Sequence, residues 1–539
     1  MDSSNAAALE TGEFASASRP ALNQKPGPTT AALFIIFLVA GLAFSAWSLF
    51  NDVSVAGSRP TSWISFGLLG LALVIALGFE FVNGFHDTAN AVATVIYTHS
   101  LPPPVAVVWS GMFNFAGVLL SSGAVAFGII SLLPVELILK VGSSAGFAMV
   151  FALLIAAIMW NLGTWYLGLP ASSSHTLIGS IIGVGVANAL MHGQSGTSGV
   201  DWSQAAKVGW SLLLSPLIGF ICSAILLVVL KRAVNNPALY QEPKGNKPPP
   251  WWVRSILVLT CTGVSFAHGS NDGQKGMGLI MLILVGTVPI AYALNRALPV
   301  DQVTEFAAIA QVTQASLQHH ATVPAPADLR ARLTLYVQDH KYSDDMIPAL
   351  AVMTGDVGQQ VKQHGSLAKV PAEVVTNVRN DMYLMSEAIR TMEKQKVLAL
   401  DADAEKNLAA FKKQLDAATK FIPLWVKVAV AIALGLGTMV GWKRIVVTVG
   451  EKIGKSHLTY AQGASAELVA MATIAAADMY GLPVSTTHVL SSGVAGTMAA
   501  NRSGLQWATV RNLAMAWVLT LPCAILLSGF LYWLLRQFG

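Results

Sequence analysis

The stretch NGFHDTANAVAT, Asn83 to Thr94, places an Asp, a His and two Asn in the middle of an otherwise apolar segment. Ile64 to Phe79 before it and Ala91 to Tyr97 after it are almost wholly apolar, so Asp87 falls at membrane depth. A carboxylate there is costly, and such groups face a bundle interior or a watery cavity on an ion or substrate path. The bland alternative is an Asp that caps a helix break. Against it stands the return of the motif, modified, as HGSNDGQKGMG from His268 to Gly278.

Composition agrees with a chain that lives in a bilayer. Hydrophobic residues make up 54% and charged residues 11% of the 539, against about 25% charged in soluble proteins. The net charge of +5 comes without a basic cluster, so neither nucleic-acid affinity nor a nucleic-acid partner is expected. Cys222, Cys261 and Cys523 lie in apolar runs without ligand spacing, which excludes a disulfide framework or zinc site as the organising element. Residues 1–30, rich in Ala, Ser and Pro, are expected to form a disordered tail rather than a cleavable signal. Residues 31–50 then form an extra transmembrane helix ahead of the repeat.

Apolar runs of crossing length follow at 64–97, 105–133, 145–168, 170–190 and 208–230, and again at 256–288, 421–441, 458–480, 483–500 and 513–535. The segment 231–254 between the sets carries Lys231, Arg232, Lys244, Lys247 and Arg254 against Glu242 alone, which places it in the cytoplasm. One crossing per run then brings the amino terminus inside, together with the loops at 442–457 and 501–511, which are also basic.

Spacing tests the repeat. GLPASSSH, Gly168 to His175, is matched by GLPVSTTH, Gly481 to His488. From Asp87 to His175 is 88 positions and from Asp272 to His488 is 216, an excess of 128 that matches the hydrophilic segment 294–420. The chain thus reads as a first transport repeat over 63–230 and a second, opposed one over 255–293 and 421–539. Residues 294–420 are an inserted soluble helical domain, with amphipathic patterns at 374–400 and 404–420. The crossing count puts the insertion outside the cytoplasm. The expected fold class is an all-α polytopic membrane protein of about 11–12 segments with an inverted-topology repeat. The two Asp-bearing runs, long and Gly-rich, read as discontinuous helices, and the two GLP segments as Ser/Thr-containing hairpins.

Chemistry concentrates in the same four motifs. Ser172, Ser173 and Ser174 follow Pro170 where a helix would begin, and Ser485, Thr486 and Thr487 repeat the arrangement from the opposite direction. Two positive helix ends with hydroxyls converging on one point suit a tetrahedral oxyanion, which has acceptor oxygens on every side; N-caps of ordinary helices are the alternative. His175 and His488 end these motifs as anion donors, proton carriers or buried residues that hold the hairpins. Superposing Asp87 on Asp272 sets His86 opposite Asn271, Asn83 opposite His268, and Asn90 opposite Lys275. A lysine at membrane depth needs a partner or an anion. Lys275 can pair with Asp272 or Asp87 and be released to an anion when either is protonated. Glu80, Glu467 and Asp478 are further acids in apolar runs and candidates to line a proton path, with an interfacial position the alternative for Asp478.

These motifs resemble those of the inorganic phosphate transporter (PiT) family. NGFHDTANAVAT and GSNDGQKGMG are similar to its paired signatures, and GLPASSSH with GLPVSTTH to its paired hairpins; the resemblance runs from Ile64 to the carboxyl terminus apart from the insertion. It implies secondary active import of inorganic phosphate by alternating access around a midplane site. Substrate contacts are then expected from Asp87, Thr88, Asn90, Asn271, Asp272, Lys275, Ser172 to Ser174 and Ser485 to Thr487. Sodium-coupled members carry Asn where this chain has His86 and Lys275, so the chain resembles the proton-coupled bacterial branch. That branch is thought to carry phosphate partly as a neutral complex with a divalent metal. Proton coupling is accordingly expected to involve His86, Asp87, Asp272, Lys275, His175 and His488, in a bacterial cytoplasmic (inner) membrane, with no cofactor. The lipid bilayer and a second copy of the chain are the remaining partners considered. A sodium-coupled or other oxyanion symporter is the nearest alternative. A membrane hydrolase fares worse: Ser174 and His175 are adjacent and diverge on one helix, and no nucleophile-elbow GxSxG is placed on a strand-to-helix turn. A channel would need no coupling carboxylates.

Overall fold

The computed structural model describes residues 20–22, 27–57, 63–133, 138, 143–193, 195, 200–243, 245 and 247–538, with the side chains of 63–65 and 88–90 set aside. Most of the tail expected over 1–30 lies outside the described residues. The α-helices, in order, are α1 (Pro28–Val55), α2 (Trp63–Tyr97), α3 (Pro103–Leu120), α4 (Ala124–Ile130), α5 (Ser144–Tyr166), α6 (Ser173–Met191), α7 (Trp202–Ala233), α8 (Trp251–Thr287) and α9 (Pro289–Tyr292). They continue with α10 (Val300–His319), α11 (Leu329–Asp339), α12 (Met346–His364), α13 (Ala372–Gln395), α14 (Ala402–Thr419), α15 (Leu424–Gly437), α16 (Lys443–Val447), α17 (Tyr460–Met479), α18 (Thr486–Ala500) and α19 (Trp507–Leu535). The chain is all-helical and multi-pass. Among the described residues seven helices are long and apolar enough to cross a membrane, or up to eight if a bent pair is one span. Four of the eleven apolar runs fall short: α15 and α18 are only 14 and 15 residues long, and α8 and α17 carry polar and charged residues along their length.

The expectation of discontinuous signature helices is corrected. α2 and α8 are unbroken over 35 and 37 residues, roughly 52 and 55 Å at 1.5 Å per residue. Neither contains proline, and His86, Asp87, His268 and Asn271 find partners on other segments, so the backbone has no need to unwind to satisfy them. The glycines serve packing instead. A Cβ at Gly84 would stand 2.3 Å from the carbonyl oxygen of Leu434 on α15, and one at Gly269 would stand 2.2 Å from that of Asn114 on α3.

The packing partners exchange between the two halves: α2 lies on α15 while α8 lies on α3, and α6 lies on α19 while α18 lies on α7. Gly183 and Gly496, each eleven positions after Ser172 and Ser485, meet the carbonyls of Ile525 on α19 and Phe220 on α7; in both cases a Cβ would stand 2.1 Å from the oxygen. At the start of α8, Arg254 donates from Nε to the carbonyl of Ser100 just beyond the end of α2, at 2.7 Å. The two signature helices therefore run antiparallel.

Helices α10 to α14 enclose a separate hydrophobic core that includes Phe306 against Phe411, Leu317, Met353 and Met385. This bundle sits on the amino-terminal end of α7. Asp201 caps α7 through the Gln204 amide at 3.0 Å and reaches Arg390 at 3.5 Å. Burial pushes the Asp201 carboxyl up, but the Gln204 amide, the Ser203 hydroxyl and Arg390 outweigh it and leave the group below its ordinary value. The other end of α7, with Lys231 and Arg232 in its last turn, opens the basic loop. The bundle and that loop occupy opposite ends of a helix about 48 Å long.

α1 lies at the periphery against α15 and ends at the foot of the bundle. There Asp52 accepts from Tyr292 Oη at 2.8 Å and Trp425 Nε1 at 3.0 Å, residues that flank the entry to and exit from α10–α14. One carboxylate thus ties both connections. Asp52→Ala is expected to cost about 1–3 kcal/mol, the scale of two lost bonds to a charged acceptor. A thermal melt should show the lower midpoint, while the central site, distant along the chain, keeps its ligand affinity.

Candidate functional site

Ser172 and Ser485 are N-caps: each hydroxyl accepts from the amide three residues on, His175 or His488, at 3.2 Å. Pro170 precedes the cap instead of occupying the first turn. The two helix starts face each other, since Ser174 donates its hydroxyl to the Val484 carbonyl at 2.8 Å. Asn271 fastens the second hairpin from α8, donating to the Leu482 carbonyl at 3.1 Å and accepting from the Val484 amide at 3.4 Å.

Between these ends lies a buried ionic cluster. Asp87 accepts from Ser173 at 2.7 Å through Oδ2 and from Thr487 at 2.6 Å through Oδ1. Asp272 Oδ2 accepts from Lys275 Nζ at 2.6 Å and from Ser173 at 3.3 Å. Lys275 also reaches the Ser173 hydroxyl at 3.2 Å. All are essentially inaccessible to solvent. Ser173 is the hub, touching both carboxylates and the ammonium from the first turn of α6. Repeat matching would pair Ser174 with Thr487; the structure uses Ser173 and Thr487, so the two hairpins contribute unequally. Thr486 Oγ1 has no partner among the described residues.

Two histidines hold the carboxylates from the sides. His86 Nδ1 lies 3.0 Å from Asp87 Oδ1, with Nε2 3.2 Å from Thr164 Oγ1 on α5. His268 Nε2 lies 3.5 Å from Asp272 Oδ2, with Nδ1 2.7 Å from Asn114 Oδ1 on α3. Sequence reasoning put His268 opposite Asn83 without assigning it to the site; its position four residues before Asp272, on the same helical face, was the available signal. Asn114 and Thr164 carried no sequence signal at all. His175 and His488 lie against each other at 4.7 Å between ring centroids with their planes tilted by 40°, and His488 stacks on Trp517 at 4.3 Å. The side chains of Thr88 and Asn90 lie outside the described residues.

Of the remaining acids, Asp478 and Glu467 are engaged elsewhere, while Glu80 lies against Gly276, next to Lys275. Asp478 accepts from Ser270 and Gln274, both at 2.6 Å, tying α17 to α8. Glu467 accepts from Thr260 at 2.5 Å, and Glu80 from Asn83 at 3.4 Å. Asp87, His268 and Asp272 each present a ligand atom within 4.8 Å of the others, a geometry able to hold a cation. Two carboxylates against one ammonium leave the centre short of positive charge.

A charged, hydroxyl-lined centre sealed among the helices of a multi-pass protein defines a membrane transporter. The chain belongs to the phosphate transporter family, whose profile matches residues 83–528. It is 43% identical over 492 residues to the low-affinity inorganic phosphate transporter PitA of Escherichia coli K12, covering 87% of this chain and 97% of that protein. Identity to PitB of the same organism is 41% over 489 residues, with the same coverage. A probable low-affinity inorganic phosphate transporter of Bacillus subtilis is 28% identical over 468 residues. Among solved structures, "The sodium-dependent phosphate transporter" shows 18% identity and a TM-score of 0.49, covering 87% of this chain and 99% of that one.

Proposed function

We propose that this protein imports inorganic phosphate by proton symport across a bacterial cytoplasmic membrane, alternating access around the Asp87–Asp272 cluster. The observation that carries the reading is that three donors facing the centre are held by carboxylates, Ser173 and Thr487 by Asp87 and Lys275 by Asp272. Protonation of Asp87 frees the two hydroxyls, and protonation of Asp272 frees the ammonium. Proton and anion binding are thereby linked, because each makes the other cheaper. The exchanged packing pairs, the matched Gly183 and Gly496 contacts and the antiparallel signature helices support an inverted repeat, whose halves rock about this centre. The opposite placement of the helical bundle and the basic loop supports an insertion outside the cytoplasm.

A divalent metal carried with phosphate is compatible with the Asp87, His268 and Asp272 ligand atoms. It would be cargo, neutralising the anion as protons do.

The test is uptake of radiolabelled phosphate into proteoliposomes of purified protein, with pH and sodium gradients imposed separately, with and without divalent metal. An inward proton gradient without sodium is expected to drive accumulation. Dependence on sodium would discard the coupling scheme, and no uptake under any gradient would discard the transport reading itself.

A further inference from the structure

At the foot of the helical bundle a small cavity separates α13 and the end of α14 from α4 and α8. Its walls include Ser131 and Val285 on the membrane side and Arg379, Tyr383, Glu387 and Lys420 on the bundle side. At about 30 Å³ it has room for two or three waters, which an oxyanion would displace with some movement of the lining side chains, and far too little for a nucleotide.

Arg379 is unusual in this setting. It is only 7% exposed, yet among the described residues no carboxylate pairs with it. Its Nη1 donates to Asn380 Oδ1 at 3.2 Å, its guanidinium lies 4.8 Å from the Tyr383 ring centroid, and its Nε has no partner. Burial pulls its pKa below the ordinary arginine value, the mark of a cation lacking its counter-charge. Glu387 in the same wall does not supply it, being held by Arg390 at 2.5 Å and Lys420 at 3.3 Å. Lys420 also reaches Asp416 at 2.8 Å, which Lys412 shares at 3.1 Å. Of the three charged residues in the cavity wall, Arg379, Glu387 and Lys420, only Arg379 lacks a counter-charge among the described residues, and a buried guanidinium with a free donor suits an oxyanion.

We propose that this cavity is an outer oxyanion site in which Arg379, assisted by Lys420, binds inorganic phosphate before it reaches the central cluster. Val285 lies ten residues beyond Lys275 on α8, so the two sites are roughly 15 Å apart along one helix. The site faces the end of the molecule opposite the basic loop, where imported anions arrive. A positive cavity there raises the local anion concentration at the entrance, which gives the inserted bundle a task in transport. This role, though not the binding itself, rests on the central cluster being a phosphate site.

Equilibrium binding of radiolabelled phosphate to the full-length protein in neutral-lipid nanodiscs tests it. Wild type is expected to bind two phosphates per chain, Arg379→Gln and Lys275→Ala one each, and the double variant none. In proteoliposomes Arg379→Gln should raise KM about tenfold, the scale of one lost charge-assisted contact, and more than it lowers Vmax; Arg379→Lys should recover most of that loss. Should Arg379→Gln fail to fold, Lys420→Gln carries the same comparison. One phosphate per wild-type chain, or unchanged stoichiometry and KM in the folded variants, overturns the proposal. So does a fall from two to one when phosphatidylglycerol replaces the neutral lipid, which would assign the cavity to a lipid headgroup. No binding together with no uptake in wild type would instead strike the reading of the central cluster.

Discussion

Lys275→Ala is expected to abolish phosphate uptake driven by a pH gradient, by about 100-fold or more, the scale of losing a buried charge-assisted partner. The ammonium lies 2.6 Å from Asp272 and 3.2 Å from Ser173, at the point where both helix starts meet the two carboxylates. Removing it takes away the one fixed positive charge that the released site can offer an oxyanion. It also leaves Asp272 buried without its cation, which costs about 3–5 kcal/mol when one partner of such a pair is deleted. Loss of uptake through misfolding must therefore be separated from loss of function. Asp272→Asn combined with Lys275→Met removes the pair as a unit, a change that is often neutral for stability. This double variant should fold, by size-exclusion profile and melting midpoint, and still fail to transport. Full pH-driven uptake in either variant would sink the coupling scheme.

The second large effect is structural and falls inside the first signature. Gly84→Ala would place a methyl group 2.3 Å from the Leu434 carbonyl oxygen and 3.0 Å from the Gly437 Cα. Both are backbone atoms in the last turn of α15, so no side-chain rotation relieves the clash. α2 must then move away from α15, and such overpacking costs about 1–3 kcal/mol or more. Because α2 carries His86 and Asp87 one turn further on, the displacement reaches the site. The expectation is a lowered melting midpoint together with weaker phosphate binding. Gly437→Ala meets the Phe81 carbonyl at 2.2 Å across the same contact and should behave alike. The two costs should not add, since one separation of the helices accommodates both methyl groups. Wild-type stability in Gly84→Ala would show that the helices do not approach this closely.

Much of this protein was legible in its residues because membrane chemistry is restrictive. A bilayer tolerates few charges, so Asp87, Asp272 and Lys275 stood out against their apolar surroundings, and the matched GLP motifs announced two helix starts. Amphipathic patterns at 374–400 and 404–420 correspond to α13 and α14, since their burial follows the helical period.

What residue order left open was settled by contacts between distant segments. The signature segments looked broken, because Gly-rich polar runs of that length commonly unwind. They stay helical because Asn114, Thr164 and the hairpins supply partners from other helices. Which serine of the SSS triplet reaches Asp87 depends on the rotation of α6, and that rotation is set by Gly183 against Ile525 on α19. Composition and spacing fixed the class, the four motifs and their pairing, since these depend on the local cost of placing charge in lipid. The assignment of each hydroxyl, ammonium and histidine to its partner belonged to the tertiary structure, because hydrogen bonds of under 3 Å between helices answer to packing angles no local pattern encodes.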